Sequence, residues 1–272
     1  MTQITLIGSS HVAALKLGWE QIQSNWQDIE LRFLALPGKS FRKLQINGQK
    51  HFGALTPERF KPDVRRAIET GFGASHVDLS KADAVVQIGW YLHEGEVARL
   101  LGAYSIDGLH TQPRLPRMSL PAYSAFCDAL ALHTLPAKPW RNWTSPQLFF
   151  VPKPRKCETC LKDPAPAYDV WRRFADLTPD GAPRLSGYSQ RVSQALEAVG
   201  ARLIPLPDKL HAETGLTRAR FGRNAPSLSA GETYGAEDHH HMNEDYGAIA
   251  LTHILDRVTA AMRQKENEHA LG

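Results

Sequence analysis

The chain has 272 residues, 42% of them hydrophobic and 22% charged, which supplies a sizeable core and excludes global disorder. Its 32 Lys and Arg against 28 Asp and Glu leave a net charge of +4, too small and too scattered an excess for a nucleic-acid binder. Three cysteines cannot build a disulfide framework, no apolar run approaches about 18 residues, and no basic leader precedes an apolar stretch. The sequence therefore predicts a cytoplasmic protein with no membrane span and no signal peptide. At roughly 150 residues per domain the length allows one domain or two, and an open α/β fold fills it as one, residues 1–272.

The predicted elements alternate from the start. Ile4-Thr5-Leu6-Ile7 is apolar and β-branched, as a strand buried on both faces requires. Gly8-Ser9-Ser10 supplies a turn, after which Val12, Leu15 and Trp19 share one helical face. A second strand at 30–36 ends at the breaker pair Pro37-Gly38. Residues 39–62 read as a long connection packed over the sheet, in which Thr56 can cap a helix with Pro57 at its first position. The third strand is 84–89. Residues 104–118, rich in Pro, Gly and Arg, form a loop, and 121–135 has helical spacing. Leu148-Phe149-Phe150-Val151 is a fourth strand, stopped by Pro152 and Pro154. Helices follow at 168–177 and 185–199, and a short fifth strand at 201–204 stops at Pro205 and Pro207. Residues 211–237 are polar and aperiodic, and loops of that length in a compact domain are usually functional. A last helix places Ile249, Leu251, Ile254, Leu255, Val258 and Met262 on one broad face, with fraying expected from Gln264 on. Such alternation predicts a three-layer α/β/α protein around a central five-stranded parallel sheet, with loop insertions at 39–62, 104–118 and 211–237. Sites in such sheets lie beyond the carboxyl ends of the strands, here at Gly8-Ser9-Ser10, Pro37-Gly38 and Gly89-Trp90-Tyr91.

Two of these segments carry chemistry. Ser10 lies where the first strand becomes the first helix, beside the free amides of a helix N-terminus. The same position suits a helix cap. Just before the last helix the chain reads Asp238-His239-His240-His241-Met242-Asn243-Glu244-Asp245-Tyr246-Gly247. Asp238 and His241 are three residues apart, a spacing at which a turn lets the carboxylate orient the imidazole. A serine hydroxyl is a weak nucleophile that needs such an oriented base.

These residues resemble the SGNH, or GDSL-like, hydrolase superfamily. Gly8-Ser9-Ser10 stands in the place of its first block, and Asp238-x-x-His241 in that of its last, which Asn243, Tyr246 and Gly247 continue. Gly38 matches the glycine of the second block. The resemblance implies a flavodoxin-like fold, Ser10 as nucleophile, His241 as base and Asp238 as its orienter, with the amides of Ser10 and Gly38 in an oxyanion hole. Two departures stand out. Ser9 replaces the usual Asp of the first block. In the third block Tyr91 of Gly89-Trp90-Tyr91-Leu92 stands where the family has an oxyanion-donating Asn, so its phenol is a candidate third donor. One lost donor costs about 10²–10³ in rate. Ser9, His11, Trp90 and His93 are candidate pocket residues.

The implied activity is cleavage of an ester, an O-acyl or O-acetyl group on a carbohydrate or other small molecule, through an acyl-enzyme and with no cofactor. An acyltransferase, and a non-catalytic carbohydrate or small-molecule binder on the same fold, are the alternatives. A metal-dependent hydrolase built on His239-His240-His241 is a third, although adjacent side chains diverge and rarely share an ion. His239 and His240 are read as partly exposed loop residues. Cys157 and Cys160 form a CxxC that only Cys127 could extend, and are read as neighbouring loop thiols. Lys153, Arg155 and Lys156 suit a solvated loop or a grip on an anionic group, and Arg218, Arg220 and Arg223 have the same ambiguity. Trp140 and Trp143 are read as packing under a loop. Neither a nucleic acid nor a membrane is an expected partner, and oligomeric state is not legible.

Overall fold

The computed structural model describes residues 1–177, 181–227, 233–235 and 237–271, apart from the side chains of 266 and 268–271. Five strands form one sheet: β1 (Thr2–Gly8), β2 (Ile29–Ala35), β3 (Ala84–Trp90), β4 (Gln147–Pro152) and β5 (Arg202–Leu203). Their spatial order is β5-β4-β3-β1-β2, and each neighbouring pair is parallel. The chain steps from β1 to β2, then crosses back to the other side of β1 for β3. That reversal opens a crevice beyond the carboxyl ends of β1 and β3.

The period-2 pattern of each strand divides the core between two faces. Ile4, Leu6, Val86, Phe149 and Val151 pack on one side; Ile7, Val85, Leu148 and Phe150 pack on the other. Eight helices are described: α1 (Val12–Ile22), α2 (Gly38–Phe41), α3 (Pro62–Phe72), α4 (Glu94–Leu101), α5 (Leu120–His133), α6 (Asp169–Ala175), α7 (Gly181–Glu197) and α8 (Glu244–Leu271). Val12 and Leu15 of α1, with Leu251, Ile254, Leu255 and Val258 of α8, cover the first face. Ile68 and Phe72 of α3, Val97 and Leu101 of α4, and Leu185, Tyr188 and Val192 of α7 cover the second. Each such fully buried aliphatic or aromatic side chain contributes about 1.5–3 kcal/mol of transfer free energy. Among the described residues no helix is long and apolar enough to cross a membrane.

Helices α1 and α8 touch backbone to backbone. A Cβ on Gly247 would lie 1.8 Å from the Ala14 carbonyl oxygen, and one on Gly18 would lie 2.2 Å from the Ala248 nitrogen. Only glycine permits that approach. Asn243 precedes helix α8, and its Oδ1 accepts from the Tyr246 amide at 3.1 Å as an N-cap. The segments preceding the two helices, Ser9–Ser10 and 238–243, therefore arrive at the same edge of the sheet.

Several expectations change. The helix expected at Thr56 begins instead at Pro62; Pro57–Arg59 makes only a single 3₁₀ turn. Thr56 Oγ1 donates to Gln45 Oε1 at 2.9 Å rather than capping, and the buried Phe60 draws the chain down before the helix starts. Within the 39–62 insertion, Gln45–Ile46 pairs with His51–Gly53, which pairs in turn with His76–Asp78, in a small antiparallel sheet. In the 104–118 loop, Ser105–Ile106 pairs with Arg117–Met118. The turn Asp208–Leu210 comes just before the 211–237 insertion and Ala219–Gly222 lies within it, while 228–232 and 236 lie outside the described residues. Helix α8 continues to Leu271, past the expected fraying point, and Lys265 Nζ donates to the Thr144 carbonyl. Its polar tail consists largely of good helix formers, which the apolar pattern alone does not reveal.

Candidate active site

Ser10, His241 and Asp238 lie in one hydrogen-bonded series. His241 Nε2 is 2.8 Å from Ser10 Oγ, and His241 Nδ1 is 2.8 Å from Asp238 Oδ2. The second carboxylate oxygen, Oδ1, accepts the amides of His240 at 2.7 Å and His241 at 2.8 Å. Asp238 thus builds the turn that carries the histidine it orients, a habit of aspartate in loops. An ionised carboxylate only accepts, so the Nδ1 proton faces Asp238 and the Nε2 lone pair faces the serine hydroxyl. The His241 and Asp238 side chains are 17% and 19% exposed, dry enough to strengthen both bonds.

The His241 ring is held between two others. Tyr234 stacks on it with centroids 3.7 Å apart and planes 6° apart. His11 lies at 5.3 Å and 26°. Gly89, at φ 80°, sits under His11: a Cβ there would meet His11 Cδ2 at 3.0 Å. Burial is the main cause that lowers the His11 pKa from 6.5 to about 3, with Lys153 and His241 adding to it. His11 is therefore neutral at ordinary pH, and its buried Nδ1 has no hydrogen-bond partner among the described residues.

The amides of Ser10 and Gly38 donate to no backbone carbonyl among the described residues. Helix α1 has neither an acidic residue in its first turn nor a side-chain cap, so its N-terminal amides carry uncompensated positive character. Gly38 opens α2 beside the turn: a Cβ on it would be 3.9 Å from Ser9 Cβ. Tyr91 is 55% exposed and packs edge-on against His93 at 4.6 Å. Among the described residues no hydrogen bond or ring contact joins it to Ser10 or His241. Trp90 donates Nε1–H to the Thr134 carbonyl at 3.0 Å and packs on Phe150 at 4.5 Å, so one end of the ring belongs to the core.

The three histidines diverge. His239 is buried, contrary to the exposed position expected of it. Its Nδ1 lies 2.8 Å from Thr159 Oγ1, its Nε2 lies 3.1 Å from Asp163 Oδ2, and its ring meets the face of Tyr168 edge-on. It fastens the 238–241 turn to the chain after β4. His240 points elsewhere, and Lys156 Nζ lies against its ring, close to both ring nitrogens. Among the described residues no three His, Cys, Asp or Glu side chains converge on a possible metal position. Cys157 and Cys160 are buried free thiols, and Cys157 Sγ lies 3.8 Å from the Arg218 and Ala219 carbonyls. Arg155 is not solvated: it binds Glu94 at 2.8 Å, with the two side chains 10% and 12% exposed. Arg220 lies over the Phe221 ring. Trp140 is buried, stacked on Trp143 and tilted against Phe52.

Tyr234 is the neighbour of His241 that the sequence pattern does not single out. Its only mark there is being the one aromatic in the polar run 223–238. No family model matches the chain, and no curated protein matches it.

Proposed function

We propose that the protein is a serine hydrolase that cleaves a small-molecule or carbohydrate O-acyl ester, an enzyme of the SGNH type on a flavodoxin-like sheet. The observation that carries this reading is the unbroken series from Ser10 Oγ through His241 to Asp238, with 2.8 Å at both steps. The strand order, which reverses beside β1, agrees with it.

In the reaction Ser10 Oγ attacks the acyl carbon while His241 Nε2 takes its proton. Asp238 stabilises the imidazolium through Nδ1. The carbonyl oxygen, now an anion, is met by the Ser10 and Gly38 amides. As the intermediate collapses, the bond from carbon to the leaving oxygen breaks, and that oxygen receives the proton from His241. A water then repeats the cycle on the acyl-Ser10 ester and releases the acid. An alcohol in place of that water gives acyl transfer by the same steps.

A fluorophosphonate probe tests the reading. Labelling of the wild type that disappears in both Ser10→Ala and His241→Ala is the expected result. A folded wild type that takes no label contradicts it and favours a binding protein.

A further inference from the structure

Beside the candidate triad lies a pair of lysines that makes no direct salt bridge among the described residues, Asp238 being the carboxylate whose charge reaches both. Lys153 follows β4 directly, and its amide bonds to the Trp90 carbonyl at the end of β3, at 2.9 Å. β3 is the neighbour of β1, whose end carries Ser10. Adjacent strands lie about 4.8 Å apart, so the carboxyl end of β4 is roughly 10 Å from that of β1. Both lysines reach back toward the triad. Lys156 Nζ is 2.6 Å and Lys153 Nζ 3.4 Å from His240 Nδ1, and His240 is the chain neighbour of His241.

The surrounding charges are already paired. Arg155 is held by Glu94, and Arg99 by Glu96. Asp238 hydrogen-bonds to His241 and to two backbone amides and touches neither lysine directly, although its charge favours the ammonium form of both. Among the described residues no carboxylate forms an ion pair with Lys153 or Lys156. Each ammonium has three donors and a preference for water or an anion, yet both side chains are partly buried. Burial lowers the pKa of both, that of Lys156 to about 8, where the charge on Lys153 is the second cause. Two like charges held together and partly desolvated are costly unless an anion joins them. The cleft they line has a volume of about 270 Å³, and Trp90, Tyr91, His93 and Trp171 share its wall. It is open to solvent beside the carboxyl ends of β3 and β4.

We propose that Lys153 and Lys156 grip an anionic group, a carboxylate or a phosphate, that the substrate carries close to its scissile ester. This rests on the ester-hydrolase reading above and narrows its substrate class to acidic esters. Lys156 Nζ also lies against the His240 ring and 5.5 Å over the Tyr168 ring, two contacts that carry no formal negative charge.

The test pairs two esters with one leaving group, p-nitrophenyl butyrate and p-nitrophenyl hemiglutarate, and compares kcat/KM in wild type, Lys153→Met, Lys156→Met and the two Lys→Arg variants. The wild type should prefer the anionic ester by about tenfold or more, which is about 1.4 kcal/mol. The ratio should fall toward one in each Met variant and survive in each Arg variant. Calorimetric titration of Ser10→Ala with glutarate and with inorganic phosphate supplies a readout independent of turnover. The anion that binds there, and fails to bind once Lys153→Met is added, identifies which group the cleft accepts. An ester ratio equal in wild type and Met variants, with neither anion bound, overturns the proposal while leaving the hydrolase reading intact. Lysine-dependent anion binding in a protein that cleaves neither ester does the reverse.

Discussion

Among the contacts that fix His241 are three of different kinds: a carboxylate at Nδ1, a hydroxyl at Nε2 and the Tyr234 face. Each has its own signature on removal. Asp238→Asn keeps the shape of the turn but presents a donor, which favours the wrong imidazole tautomer, and kcat should fall about 10⁴-fold. Ser10→Ala and His241→Ala should each cost about 10⁴–10⁶ in kcat, with the double variant little worse than either single one. Tyr234→Ala removes a stacking contact of about 0.5–1.5 kcal/mol. It should lower kcat up to about tenfold, and Tyr234→Phe should restore it; steady-state kinetics on a short acyl ester separates these cases. At Gly89 the φ of 80° and the His11 ring 3.0 Å from a would-be Cβ act together. Gly89→Ala should cost about 1–3 kcal/mol in a urea melt.

At the scale of elements, the site depends on two helices. α1 and α8 start beside Ser10 and His241, and their backbones meet at Gly18 and Gly247. A methyl group at Gly247 would sit 1.8 Å from the Ala14 oxygen, so the helices must part. Gly247→Ala should lose about 1–3 kcal/mol of stability as overpacking does, and activity should fall further than stability because the Ser10–His241 bond lengthens. Unchanged activity in a folded Gly247→Ala protein would show that the interhelix contact does not set the site. Elements were also the most legible part of the sequence. The strands announce themselves as apolar, β-branched runs ended by Gly or Pro, and all five lie within a few residues of their expected places. The start of α3 was not legible, because Thr56-Pro57 has the chemistry of a helix start and only tertiary burial of Phe60 forces the chain onward to Pro62.

Across the whole molecule, charge and burial shape the response to pH. His11 and His211 both have pKa values lowered from 6.5 to about 3, first by burial; Lys153 adds to the effect at His11 and Arg155 at His211. Between those values the unfolded chain binds protons that the folded chain refuses, so stability falls as pH drops from about 6.5 toward 3. Each histidine should contribute about 2 kcal/mol of loss between pH 6.5 and about pH 4.5. Urea melts should show a shallower acid slope for His211→Gln than for wild type; parallel slopes would contradict the burial of that imidazole in the neutral form. The site shows a similar division between pattern and packing. The meeting of Ser10, Asp238 and His241 was legible because the triad proposed for them calls for particular residue types at the ends of particular elements. Tyr234, the burial of His239 and the approach of Lys153 and Lys156 to His240 were not, because each arises where loops distant in sequence fold over one strand edge.

The most direct measurement is the pre-steady-state reaction with p-nitrophenyl acetate, followed by mass analysis of the quenched protein. An acyl-enzyme on Ser10 predicts a burst of nitrophenol equal to the enzyme concentration and an acetyl group confined to the peptide that contains Ser10, both absent from Ser10→Ala. Turnover without a burst in which Ser10→Ala matches wild type, or an acetyl group on another residue, would contradict Ser10 as the nucleophile.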